Sequence, residues 1–444
     1  MGNVLRVGAG LAVLCALAIA LAACGGGGGG EGTGGGSSES QPGAAQEVSG
    51  TVEVWDFEYE SIAAWTKVVD KLDAEFEQLH PGVTVKRVAQ PFETWEAVYR
   101  AAFAAHEGPD VMVMQPGMSG LLSFTQGLET LNDRVTPDLR EHLTQWETVT
   151  PDLTPEGEYF GVPLTKQMWV FYYNKKLFKQ AGLPTDFEPK SWAEVREAGE
   201  KLKAAGIQAF TGGNKEGYEN SWWFTVGFQS ENDPEQASEL AQGTLPYTDE
   251  AVTKAFGPGI EMQEAGLYPS DRFSTPLFTE GYARFAEGKG AMTLGLMEAA
   301  GYWEEFVGKI GEANLGFFLP PGKHPVATLG NIDLAMPKFA KNKDAAWALM
   351  EFEASKQGME TFAENGYIPN RTDVSVPASF PVQARELEQL AESPDRIVAP
   401  FLSATTPVIW EAIPKEINEV LQGRTSLEDA QSAMQEVAEK SGAG

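Results

Sequence analysis

The chain has 444 residues, with 33 Lys and Arg against 63 Asp and Glu, a formal net charge of −30, and 42% hydrophobic residues. It is long enough for two sizeable cores, and its acidic excess argues against nucleic acid and anionic membrane surfaces as partners, since neither would gain from counterion release. With two cysteines and four widely spaced histidines, no disulfide or zinc spacing is offered, and neither a P-loop nor a nucleophile elbow is present.

The first element is a leader. Residues 7–23, VGAGLAVLCALAIALAA, follow the lone cation Arg6 and end in small residues, the layout of a signal peptide over 1–23; the run is short for a membrane span and carries Gly8 and Gly10. Leu21, Ala22, Ala23 and Cys24 resemble the lipobox of bacterial lipoproteins, in which the cysteine is acylated and becomes the new N-terminus. Residues 24–48, nearly all Gly, Ser, Glu, Gln and Ala, cannot bury enough apolar surface to fold. They read as a tether of roughly 25 to 30 Å between its ends. An anchor at Cys24 places the protein on the extracytoplasmic face of the cell membrane, attached through lipid alone, with a mature charge of −31.

Strand TVEVWDF (51–57) is followed over 61–79 by Ile62, Trp65, Val68, Val69, Leu72 and Phe76 at a helical period, which buries one face. VTVKRV (83–88), a helix near 92–106 and DVMVM (110–114) repeat the alternation, which predicts an α/β layer with a largely parallel sheet. A second set opens at WVFYYN (169–174). Ser191 and Glu194 have capping-box spacing, with Gly206 placed to end the helix. Further helices are expected near 342–354, 407–422 and 425–440, the last opened by Thr425 and Glu428.

Ligands of open α/β sheets sit beyond the carboxyl ends of the strands, which points to Glu58, Gln115 and the NID segment with Asn331 and Asp333. A flat aromatic ring beside polar side chains suits a sugar, whose C–H faces pack on it while its hydroxyls need partners. Trp222 and Trp223 are adjacent on one helix and point about 100° apart, so at least one is expected outside a single core seam. Trp55, Trp303 and Trp410 are further candidates, whereas Trp65 and Trp347 line up with core residues. Paired carboxylates among the 63 acids leave a glycosidase open as an alternative.

FEQLHPGVTV, GPDVMVM, YFGVPLTKQMWVFYYNKKLFKQAGL with PKSWAEV, FAEGKGAMTLG, LAMPKFAKNKDAAWALMEF and NGYIPNR occur in that order over residues 50–440. In this series the chain resembles the extracellular solute-binding proteins of ABC transporters, the family that includes maltose-binding protein. The resemblance implies a two-lobed α/β periplasmic-binding-protein-like fold with discontinuous lobes and a hinge, lobe one at 49–166 and 318–355, lobe two at 167–317 and 356–444. It implies no catalysis and no cofactor or metal. A monomer would deliver a carbohydrate ligand to permease subunits of an ABC importer, with a polyamine or other cation as the alternative solute. It places Gln167 at a ligand-contacting hinge position, Trp222 and Trp223 in the cleft segment, Trp303 near a stacking turn that here reads GLMEAAGYW, Trp410 at the spacing of a C-terminal stacking ring, and Arg371 at the end of NGYIPNR.

Overall fold

A computed structural model describes residues 48–441 except 92–93, 118–119, 152–155, 242, 298–300, 323–327, 383, 386–387 and 389–406. Cys24 and the tether lie outside the described residues. Among them no helix is long and apolar enough to cross a membrane, and no three His, Cys, Asp or Glu side chains gather as for a metal.

Eight strands form the sheet: β1 (Gly50–Asp56), β2 (Val83–Ala89), β3 (Val111–Met114), β4 (Val162–Asn174), β5 (Met292–Met297), β6 (Leu315–Phe318), β7 (Thr328–Ala335) and β8 (Ile368–Pro369). Its order is β2-β1-β3-β7-β4-β5, with β6 and β8 also paired to β4. Among the pairs of described strands only β1–β2 and β1–β3 are parallel; the five pairings made by β4 and β7 are antiparallel. The expected largely parallel sheet is therefore corrected: strand–helix alternation in sequence holds for either direction, and the returns through β4 and β7 reverse it.

The chain enters the fold at Gly50, whose amide donates to Gly82 at 2.8 Å, and β1 runs from there towards Glu58. The predicted helix after it spans Ala63–Leu79 and buries Trp65, Val68, Val69, Leu72 and Phe76 on one face. Ser191 caps the Trp192–Ala204 helix by accepting from the Glu194 amide, and Gly206 follows at φ +75°, a conformation that favours glycine. Glu194 reaches back to the Lys190 amide rather than to Ser191. The last helix, Leu427–Ser441, is opened one residue later than expected, by Ser426 accepting from the Asp429 amide.

Two hydrophobic clusters result. One draws on residues between Val52 and Leu164 and between Ile332 and Val376; the other draws on Met168 to Phe318 and on residues from Val382 to Ala438, with Ile368. Met359, Phe362, Ala363, Tyr367, Val374 and Val376 pack in the first cluster, although they lie beyond the residue 355 boundary expected for lobe one. In β4 the sequence VPL-TKQ-MWVFYYN records the passage: Val162 and Leu164 belong to one cluster, Met168 to Tyr173 to the other, and the polar Thr165, Lys166 and Gln167 lie between.

Candidate functional site

At the carboxyl end of β1, Asp56 accepts from the amides of Glu58 (2.9 Å) and Tyr59 (3.1 Å), and its other oxygen accepts from Trp65 Nε1 (2.8 Å) and Arg87 (3.0 Å). Arg87 also binds Asp73 and Glu353, so a buried ionic cluster fixes the turn that carries the buried carboxylate of Glu58. At the end of β3 the chain folds back, with the Leu121 amide donating to the Gln115 carbonyl at 2.8 Å. Gly120 is needed there, since a Cβ would stand 2.1 Å from that carbonyl oxygen. Gln115 itself is exposed.

The turn at 144–149 is tied to both loops and to the crossing strands. Gly117 donates to the Thr148 carbonyl, Thr144 to the Asn370 carbonyl, and Asn370 to the Leu164 carbonyl. Lys166 Nζ reaches Thr144 Oγ1 at 3.4 Å, and Asn331 Nδ2 reaches Thr165 Oγ1 at 3.4 Å. Asp333 stands on β7 between Met114 of β3 and Pro163 of β4. Its side chain is fully buried, and neither carboxyl oxygen has a hydrogen-bond partner among the described residues. Burial pushes this carboxyl well above the usual range, and the nearby Glu147 raises it further. Burial also raises Glu147, against the pull of Lys166.

Three more buried atoms here lack partners among the described residues: Gln145 Oε1, Gln167 Oε1 and Trp146 Nε1. Gln145 holds φ +64° and Glu60 φ +63°, so among the described residues two of the three non-glycine residues with left-handed backbone occur in these loops. Strain of that kind clusters at functional sites. The floor is thus rich in unmet acceptors, and a solute that supplies hydrogen-bond donors would satisfy it.

A second group is aromatic. Tyr218 (40% exposed) and Phe278 (37% exposed) are two of the three large apolar side chains exposed among the described residues, and Phe278 makes edge contacts with Trp222 and Tyr282 at 5.9 and 5.8 Å. Phe278 lies on a π-turn, Leu277–Gly281, a feature often found at functional sites.

Of the residues expected from sequence, Asn331 and Asp333 lie on β7 beside β4, Gln167 lies on β4 four residues beyond Asp333's partner Pro163, and Glu58 and Gln115 follow the ends of β1 and β3. Others do not join them. Arg371 is buried with its donors engaged by Asp138, Asp373 and the Ala354 carbonyl, and so acts as a clamp within the fold. Trp55 packs at Tyr99 and donates to Glu53 at 2.9 Å. The expectation that Trp222 or Trp223 escapes the core is corrected: they are 4% and 3% exposed. Every residue from Glu219 to Ser230 of the Tyr218–Glu231 helix is buried, so the helix has no solvent face to which a second ring could turn. Trp223 donates to Tyr268 and lies among Phe171, Trp192 and Phe210. The side chains of Trp303 and Trp410, on helices Gly301–Ile310 and Pro407–Leu421, lie outside the described residues.

Sequence reasoning missed Gln145, Trp146, Glu147 and Lys166, and also Tyr218 and Phe278. LTQWETV carries no periodic signal, but TKQ interrupting an apolar strand is a visible one. A separate cavity of about 640 Å³, lined by Tyr173, Lys175, Phe187, Phe318, Pro320 and Arg385 among others, has no buried unpaired polar atom on its lining side chains.

Two cores joined by crossing strands, with unmet acceptors near the strand ends, form an arrangement suited to holding a solute. The profile of the bacterial extracellular solute-binding proteins matches residues 71–386, and the chain belongs to that family of binding proteins, which are not enzymes. A binding protein of Brucella abortus is 25% identical over 318 residues, covering 68% of this chain and 72% of that one. The sn-glycerol-3-phosphate-binding periplasmic protein of the same organism is 44% identical over 52 residues, 12% of each chain. The two-lobed fold matches a chitin oligosaccharide binding protein at a TM-score of 0.72 and 21% identity, over 89% of this chain and 100% of that one. It also matches the GacH receptor of Streptomyces glaucescens at 0.67 and 23%, over 89% and 98%.

Proposed function

We propose that the protein is a lipid-anchored receptor on the extracytoplasmic face of the membrane that captures a carbohydrate, an oligosaccharide in particular, and delivers it to the permease subunits of an ABC importer. The observation that carries the sugar reading is that the described residues hold both unmet buried acceptors (Gln145, Gln167, Asp333) and exposed rings (Tyr218, Phe278). Hydroxyl groups would donate to the first and a pyranose face would pack on the second. The names of the structural relatives, which include chitin oligosaccharide binding and an acarbose complex of GacH, support the same class. An anionic solute such as glycerol phosphate fits poorly beside Asp333 and Glu147, since like charges in a buried site repel. Trp303 and Trp410 remain stacking candidates by resemblance.

Calorimetric titration with neutral oligosaccharides, spermidine and glycerol 3-phosphate tests the reading: saturable binding of a sugar is expected, and saturation by spermidine alone would replace carbohydrate with a cation. For the anchor, Cys24→Ala should move the protein from the membrane to the soluble fraction with its solute affinity unchanged. A mutant that stays fully membrane-bound would mean that residues 7–23 are retained as a span.

A further inference from the structure

We propose that the solute is an amino sugar whose protonated amine sits against Asp333 and Glu147; this rests on the carbohydrate reading of the same floor and narrows it. Asp333 is fully buried between β3 and β4, and neither oxygen meets a donor among the described residues. The neighbours that pair with it there, Met114 and Pro163, bring no charge. The nearby titratable groups that bear on the pair are Glu147 itself, from the 144–149 turn, and Lys166 from β4, which acts on Glu147 and whose Nζ reaches Thr144. Two carboxyls against one lysine leave a deficit of one positive charge when both are ionised.

An independent observation points the same way. Gln145 is 5% exposed, and its Oε1, like that of Gln167 on the crossing strand, is buried without a partner among the described residues. Asp333, Gln145, Trp146 and Gln167 therefore leave four acceptor atoms and one donor, Trp146 Nε1, unmet among the described residues. A hydroxyl supplies one donor and an ammonium supplies three with a full charge, so the ammonium fills more of the deficit per atom of solute. Burial favours the neutral form of Asp333, and only a cationic partner lets it ionise there and form a charge-assisted hydrogen bond, which a neutral sugar does not supply. An N-acetyl group removes both the charge and two of the donors and adds an acceptor where acceptors already abound. A ring with hydroxyls and one free amine meets both halves of the floor.

The test titrates the full mature chain with glucosamine, N-acetylglucosamine and glucose, each as the free sugar and as a tetramer. The amine-bearing form is expected to bind at least tenfold more tightly than either neutral form, and Asp333→Asn should bring that ratio close to one. A thermal melt checks that the variant folds; if it does not, Glu147→Gln supplies the same ratio. Equal or tighter binding of the neutral forms by the wild type overturns the amine while leaving the carbohydrate reading in place, and so does a ratio that the folded variant keeps. Failure of every sugar to bind while spermidine saturates the site overturns both.

Discussion

Asp56, Glu219 and Glu353 are buried carboxylates that each meet an arginine, Arg87 for the first and last and Arg272 for the second. Asp333, equally buried, has no such contact among the described residues, and its carboxyl is held well above the usual range by burial first and by Glu147 second. A carboxyl raised in the folded state contributes stability below its unfolded value near 3.8, and that contribution is lost as pH rises through the folded value. In the solute-free protein, Asp333→Asn should therefore raise the melting temperature at pH 8 by a few degrees, roughly 2 to 4 °C per kcal/mol for a chain half this size, and change it little at pH 4. Melting curves across that range check this, and an equal shift at both ends would remove the protonation account. Asp333 was legible in sequence as part of the polar NID segment lying in an apolar stretch. Its isolation was not, because Arg87 and Arg371 look equally available to it until the fold assigns them to other acids.

At the scale of elements, the Tyr218–Glu231 helix shows where a periodicity rule stops. The 100° argument for Trp222 and Trp223 assumes one core seam, and this helix is buried all round from Glu219 to Ser230; Gly227 lets the Glu250–Glu264 helix come so near that a Cβ would stand 2.1 Å from the Ala255 carbonyl oxygen. Trp223→Ala should consequently cost roughly 3 to 5 kcal/mol in denaturant unfolding. Phe278→Ala should leave unfolding nearly unchanged and weaken sugar binding by roughly 1 to 3 kcal/mol, by analogy with base stacking. If Phe278→Ala binds as the wild type does, the exposed rings are no platform. Helices with one buried face were readable from sequence almost to the residue, as Ala63–Leu79 shows. The strand β4 was read only from Trp169 onwards, because Thr165, Lys166 and Gln167 break its apolar run at the place where it leaves one core for the other.

For the molecule as a whole, two cores linked by β4 and β7 suit hinge closure around a solute. Solute at a hundredfold excess over its dissociation constant should add about 2.7 kcal/mol of stability by mass action, and scattering should report a smaller radius at saturation. An unchanged radius would argue for a rigid receptor. The resemblance expects the return to lobe one over 318–355, and no composition shift marks where it ends; Met359, Phe362 and Tyr367, expected in lobe two, pack in the first core.

Under the proposed lipid anchor, the direction of β1 sets a mechanical condition on the receptor. The chain enters that strand at Gly50 and reaches the binding floor only at Glu58, so the attachment end and the mouth are at opposite ends of a seven-residue strand, about 20 Å apart at strand rise. Under the proposed anchoring and delivery to an importer, docking would require the binding floor to turn towards the membrane. The 23 residues between Cys24 and Val48 give a leash of at most about 80 Å, enough slack for such a swivel. Deleting residues 27–44 should spare solute affinity in detergent and abolish uptake by cells, and uptake at the wild-type rate would show that the body never has to turn.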